Sequence, residues 1–346
     1  MKYHGLYVNG VGSWYPKPFP VDQAVSEGHY EAELQERTGM VSVAIAGEDD
    51  SQPEMAVRAG RQALGQSGLA DEEFGLLLHA TAGFNGLDGW NVGSYLQHHL
   101  IGGNGTAFEI RQLSNGAVGS IELAAGFLQG GTDRNAALIT ASDRFEAPVW
   151  DRWHMHPGLI FGDGASALVL SRRPGFAKLV SSVTVAHPEL EGMQRGSLPF
   201  TPNSDPSQHP VRIIDRTKDF AARELPLSRV VELMDAALVR TATAACAEAG
   251  IRPTDAEHVI MPNFGVEMVK RENLDPLGID LERTPWRWAL EVGHVGATDQ
   301  FGALDQLAHE GRLEPGQRVL MTGIGGGFNW TSVVLEIVDR PVPTPR

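Results

Sequence analysis

The 346-residue chain has a single cysteine, Cys246, so no disulfide can close within it and no cysteine cage can hold a metal. That usage fits a reducing, cytoplasmic setting. No run reaches the ~18 consecutive apolar residues of a membrane-spanning helix. The N-terminus lacks a basic region followed by an apolar stretch, so neither a membrane association nor a signal peptide is expected. Basic residues are scarce: 28 Lys and Arg stand against 43 Asp and Glu, for a formal net charge of -15. Such a chain repels a phosphate backbone, which argues against nucleic acid as a partner.

What is present is an ordinary globular mixture, 42% apolar and 21% charged, long enough for two domains or one fused unit. Glycine is abundant, with 40 residues gathered in pairs and runs such as Gly102-Gly103 and Gly325-Gly326-Gly327. Clusters of this kind mark tight backbone turns.

The sequence repeats itself at an offset of 182 residues. Arg58 corresponds to Arg240, Ala63 to Ala245 and Gly68 to Gly250, each set forming an amphipathic helix stopped by glycine. An apolar strand follows each, at Leu76–Leu78 and Val259–Met261. The same offset relates Leu138-Ile139-Thr140 to Leu320-Met321-Thr322. Before these strands lie helices over about 116–129 and about 298–310. The first has almost no polar face, which predicts burial on all sides. The expectation is two similar α/β halves, 1–171 and 172–346, packed with one buried helix from each at the centre.

Two turns carry the chemistry. Phe108-Glu109-Ile110 reads as a strand end, and Arg111-Gln112-Leu113-Ser114-Asn115-Gly116 leads into the first central helix. Near a helix N-terminus, free N–H groups favour negative charge. That suits a nucleophile and the oxyanion it creates, although serine there also makes an effective N-cap. The matching turn of the second half is Val292-Gly293-His294-Val295-Gly296-Ala297-Thr298-Asp299. Symmetric packing brings His294 towards Ser114 as a base, with Asp299 to fix its tautomer. The run Gly323–Phe328 lacks the lysine and hydroxyl of a phosphate loop. It suits either a turn whose N–H completes an oxyanion hole or a structural hairpin. His98-His99 and His154-Met155-His156 lack partners at metal-ligand spacing, so no metal is expected.

In order and spacing, Glu36–Met40, Phe108–Gly116, Phe161–Ala165, Pro262-Asn263, Gly293-His294 and Gly325–Phe328 resemble the ketoacyl-ACP synthase III branch of the thiolase superfamily. The resemblance spans nearly the whole chain. It implies the thiolase fold, five αβαβα layers of two duplicated halves, and a homodimer. Three departures bear on function. The family's catalytic cysteine is Ser114 here, its histidine after the second-half proline is Asn263, and its asparagine after the following glycine is His294. Condensing members use that histidine and asparagine to stabilise the carbanion left by decarboxylation, so ordinary condensation is in doubt.

The exchanged pattern is similar to an antibiotic-pathway subgroup that transfers preformed acyl groups. One sort, the cervimycin type, acylates a deoxysugar hydroxyl through a cysteine. The daunorubicin starter-unit type uses serine and primes an aromatic polyketide, and Ser114 points to it. The resemblance therefore implies an acyltransferase that takes a short acyl group from acyl-CoA or an acyl carrier protein. Catalysis falls to Ser114, His294, Asp299 and Asn263, with the backbone of Ser114 and Gly326 as oxyanion hole. No permanently bound cofactor is implied. Arg37 matches the arginine that contacts the CoA nucleotide, while the tryptophan expected four residues earlier is Glu33. Lys270 and Arg271 could meet an acidic carrier protein. Phe84, in the Gly83–Leu87 loop, would limit the acyl pocket, across the dimer interface. The proline-rich segment 196–228 is placed at the site entrance. O-acylation of a sugar, decarboxylating synthesis and a non-catalytic partner role are the alternatives.

Overall fold

A computed structural model describes residues 1–131, 133–202 and 205–343. Nine strands form one sheet: β1 (Tyr7–Trp14), β2 (Phe74–Ala80), β3 (Thr106–Ile110), β4 (Ala136–Asp143), β5 (Gly164–Ser171), β6 (Ala177–Ala186), β7 (His258–Ile260), β8 (Arg318–Gly325) and β9 (Asn329–Ile337). Their order is β3-β2-β4-β5-β1-β6-β9-β8-β7. In the first half β2 pairs in parallel with β3 and β4, and β5 runs antiparallel to β4 and β1. The second half repeats this: β7 is parallel to β8, and β9 is antiparallel to β8 and β6. The halves join where Tyr7 and Val8 of β1 meet Lys178 and Ala177 of β6. The 182-residue offset holds closely, since β4 and β8 begin and end that far apart.

Helices α1 (Gln52–Ser67) and α5 (Leu227–Glu248) are the two copies of the outer helix. Ser51 caps α1 by accepting the Glu54 N–H, and Gly68 ends it in the left-handed region at φ 63°. Past the end of α5, Gly250 takes φ 76°. Both positions need glycine, because a Cβ is strained there. Helix α2 (Val92–Leu100) packs beside α1. The central helices are α3 (Gly116–Gln129) and α6 (Asp299–His309); α4 (Ile213–Arg223) lies on the short helix Gly192–Arg195.

Side-chain alternation along the strands sorts these helices into layers. On β2, Leu76, Leu78 and Ala80 face the core containing α3 and α6, while Leu77 faces α1 and α2. On β8, Val319 and Met321 face the same central core, while Leu320 faces α5. The result is α1/α2, the first-half strands, α3/α6, the second-half strands, α5, which is the αβαβα order expected, with the two strand layers joined into one sheet at β1 and β6. Val118, Ile121, Leu128, Phe301, Leu304 and Leu307 are fully buried between the halves. Each contributes roughly 1.5–3 kcal/mol by leaving water. Cys246 lies on the buried face of α5, and burial pushes its thiol up to about 12.

One expectation changes. The first central helix is not buried on all sides: Leu123 is 54% exposed and Gly126 is also exposed, so its C-terminal half opens one face to solvent. Its sequence hides this, because small and apolar residues occupy both faces. Within 196–228 the chain forms a turn at Pro206–Gln208 and then α4, and the Val211 N–H donates to the Val149 carbonyl at 2.8 Å. Residues 203 and 204 of that segment, and 344–346 at the end of the second half, lie outside the described residues. No helix among the described residues is long and apolar enough to cross a membrane.

Candidate active site

The nucleophile turn leaves β3 and tightens into a short 3₁₀ turn, Leu113–Asn115, before α3. Leu113 sits at φ 47°, an uncommon conformation for a branched side chain and one that marks a constrained turn. Asn115 holds it there. Its buried amide nitrogen donates to Gln112 Oε1 at 2.7 Å and to Thr331 Oγ1 of β9 at 2.9 Å. The tip of the β8–β9 hairpin presses against the same turn. A Cβ on Gly325 would come within 2.2 Å of the Gln112 carbonyl oxygen, and one on Gly326 within 2.7 Å of Leu113 Cδ1. At Gly325, where the near atoms are backbone, only glycine allows so close an approach.

The Ser114 hydroxyl does not cap α3. Its Oγ lies 2.8 Å from His294 Nε2. His294 Nδ1 in turn lies 2.6 Å from Asp299 Oδ2. Asp299 is fully buried and both its oxygens take donors: Val295 N–H at 2.8 Å on Oδ1, and Asn263 N–H at 2.8 Å beside the imidazole on Oδ2. A carboxylate in that setting accepts the Nδ1 proton, which leaves Nε2 with a lone pair aimed at Ser114. The three residues expected to converge therefore do so, from opposite halves of the chain.

The imidazole is held from every side. The His294 backbone forms a short ladder with the Phe161 segment: its N–H donates to Ile160 O at 2.9 Å and its carbonyl accepts from Gly162 N at 3.0 Å. Phe161 and Phe264 place their rings edge-on, with centroids 5.3 and 5.4 Å from that of the histidine. Asp163 of the same Phe-Gly-Asp-Gly motif is fully buried. It takes N–H bonds from Phe145 and Ala46 and a two-pronged ion pair from Arg152. That motif is the bed on which the His294 strand lies.

Asn263 stands behind the histidine. Its side-chain nitrogen donates to the Gly293 carbonyl at 3.0 Å, and the residue is 1% exposed. Arg37 is a half-exposed surface residue at the end of the helix Ala32–Thr38, paired with Glu267 at 3.5 Å. Phe84 is 55% exposed. It lines an open cleft of about 650 Å³ with Gln52, Arg111, Arg144, Trp150 and Val211. Ser114 does not line this cleft, but Arg111, three residues before it, does. Lys270 and Arg271 are exposed, and Arg271 pairs with Glu272.

Two residues near the site carry signals that the sequence reading did not use. Burial pushes His156 down to about 4, with the nearby charge of Arg271 adding to it. It is a neutral imidazole, and its Nδ1 accepts the Gly158 N–H at 3.1 Å. Asp143, at the end of β4, is fully buried, and its carboxyl is pushed up to about 6 by that burial, against the N–H groups that bond it. Only a strand-terminal acidic residue after an apolar run, Asp143 following Leu138–Ser142, marks it in the sequence.

The 3-oxoacyl-[acyl-carrier-protein] synthase III family matches residues 108–188, and the C-terminal region of that family matches residues 246–337. The β-ketoacyl-[acyl-carrier-protein] synthase III of Rhodospirillum centenum is 28% identical, over 87% of this chain and 88% of its own. That of Rhizobium meliloti is 27% identical, over 95% and 98%. Among solved structures, the acyltransferase ChlB3 is similar at 37% identity and TM-score 0.88, covering 97% of this chain and 98% of its own. The synthase III of Aquifex aeolicus superposes at TM-score 0.77 with 22% identity, over 96% and 99%, which shows the shared fold. The chain therefore belongs to the ketoacyl-ACP synthase III-like family of thiolase-fold acyl-transferring enzymes.

Proposed function

We propose that this enzyme moves a short acyl group through an ester on Ser114 and does not condense it. The observation that carries the reading is the unbroken relay from Ser114 Oγ through His294 to Asp299. Ser114 Oγ attacks the carbonyl carbon of an acyl thioester while His294 Nε2 takes the hydroxyl proton. The Ser114 N–H and the N–H of Gly326 hold the oxyanion, a role supported by the close packing of the hairpin tip on the nucleophile turn. The carbon–sulfur bond then breaks and the thiol leaves with the proton from His294. An acceptor thiol or hydroxyl next gives its proton to His294 and takes the acyl group, and the proton returns to Ser114.

Asn263 argues for transfer over condensation. Stabilising the carbanion of a decarboxylated malonyl thioester calls for two side-chain donors. Here the amide nitrogen of Asn263 is turned to the Gly293 carbonyl in a residue only 1% exposed, which leaves His294 as the donor at the site. Asn263 thus acts as a positioning residue. The similarity to ChlB3, an acyltransferase, supports the same side. The donor is an acyl-CoA, with Arg37 available to its nucleotide, or an acylated carrier protein. The acceptor is a polyketide acyl carrier protein, which receives its starter unit. The active form is a homodimer: Phe84, Leu87 and Phe108 expose 55%, 63% and 52% of their surface on β3 and the loop after β2, at one outer edge of the sheet. Apolar surface of that kind on an edge strand needs a cover.

The test is intact-mass analysis after incubation with acetyl-, propionyl- and butyryl-CoA. The wild type should gain the mass of one acyl group and Ser114→Ala none. A gain that persists in Ser114→Ala removes Ser114 as nucleophile, and carbon dioxide release from malonyl-ACP removes the restriction to transfer.

A further inference from the structure

Ser114 and His294 come from different halves of the chain, yet a hydroxyl serves as nucleophile only if its base stays within hydrogen-bond reach. Besides their own contact, a hydrogen-bonded path runs between the two turns with Asp143 at its centre. Asp143 Oδ2 accepts the Ala297 N–H at 3.1 Å, between His294 and Asp299. Asp143 Oδ1 accepts the N–H groups of Ala82 at 2.7 Å and Gly83 at 3.2 Å, and the Thr81 hydroxyl at 3.1 Å. The Gly83 carbonyl then accepts from Arg111 Nη2 at 2.9 Å, inside the nucleophile turn. The fit at the base end is tight. Gly296 sits at φ 55°, and a Cβ there would fall 2.2 Å from Asp143 Oδ2.

We infer that Asp143 is a positioning residue that fixes the base turn against the nucleophile turn through Ala297 on one side and Gly83–Arg111 on the other. It touches neither reacting atom. Its two oxygens are both needed, since each serves a different half of the site. An amide of the same shape has one accepting oxygen and one donating nitrogen, so either the Ala297 N–H or the Thr81–Gly83 group would face a donor. A shift of about 1 Å in such a frame costs on the order of 10²-fold in rate. The inference rests on the reading of Ser114 as the nucleophile.

The experiment uses the full chain and a fluorophosphonate probe. Ser114 Oγ forms a bond to phosphorus, the P–F bond breaks, fluoride leaves, and the serine proton passes to His294. Asp143→Asn should be labelled about 10²-fold more slowly than wild type, at a temperature where circular dichroism shows it folded. Its single-turnover acylation should fall mainly in the maximal rate, with the half-saturating donor concentration little changed. Arg111→Met cuts the far end of the path at an exposed residue and serves even if Asp143→Asn does not fold. It should slow labelling about tenfold, as the loss of one charge-assisted bond implies. Wild-type labelling with Arg111→Met and folded Asp143→Asn reacting at the wild-type rate overturns this inference and leaves the Ser114 reading standing. Failure of the wild type itself to label overturns both.

Discussion

The two turns that meet at the site descend from the same position of the repeat but are built differently. In the second-half turn, two backbone N–H groups are already taken: Val295 by Asp299, and Ala297 by Asp143. Buried carboxylates thus close that turn to an incoming anion and fix an imidazole at its rim. The first-half turn contains no carboxylate. It is held by an amide, Asn115, and by glycines of the neighbouring hairpin, which leaves it suited to receive negative charge. One scaffold, used twice, has been specialised into a base holder and an anion holder by the placement of acidic side chains.

Substitutions can break that contrast in graded steps. Ser114→Ala removes the nucleophile, so no acyl adduct should form and turnover to the acceptor should fall by about 10⁶-fold, the usual loss for such a residue. Asp299→Asn should cost about 10⁴-fold, because the imidazole then loses the acceptor that sets its tautomer. The substitution also turns a donor towards the Val295 or Asn263 N–H, so the melting temperature should drop as well. Arg152→Ala leaves Asp163 buried without its cation and should destabilise the fold by about 3–5 kcal/mol in denaturant titrations. Asn263→Ala frees the Gly293 carbonyl and should cost about 1–3 kcal/mol of stability, with acylation retained. An Asn263→Ala enzyme that no longer acylates at all would move that residue from support into the chemistry.

Much of this was open to reading in the chain. The duplication showed because each half must rebuild the same strand, helix and strand, and apolar periodicity survives divergence. His294 and Asp299 were legible because they lie five residues apart in one turn, and the pairing with Ser114 followed from the symmetry. Asp143 was not legible, since its partners at 81–83 and 297 lie 60 or more residues away and contribute three backbone N–H groups and one hydroxyl. The role of Asn263 was hidden for the same reason: its partners are a carbonyl and a carboxylate on another segment. Leu123 misled because an apolar residue on a central helix gives no sign of which neighbour fails to cover it.

The buried, unreactive Cys246 has a practical consequence. With its only native thiol on the inward face of a long helix, the protein offers thiol-directed reagents almost nothing. Placing a sulfur at position 114 would create a single addressable handle inside the reaction chamber. A carrier protein bearing a pantetheine electrophile could then be captured there covalently, and the partner that docks would be identified by what remains attached.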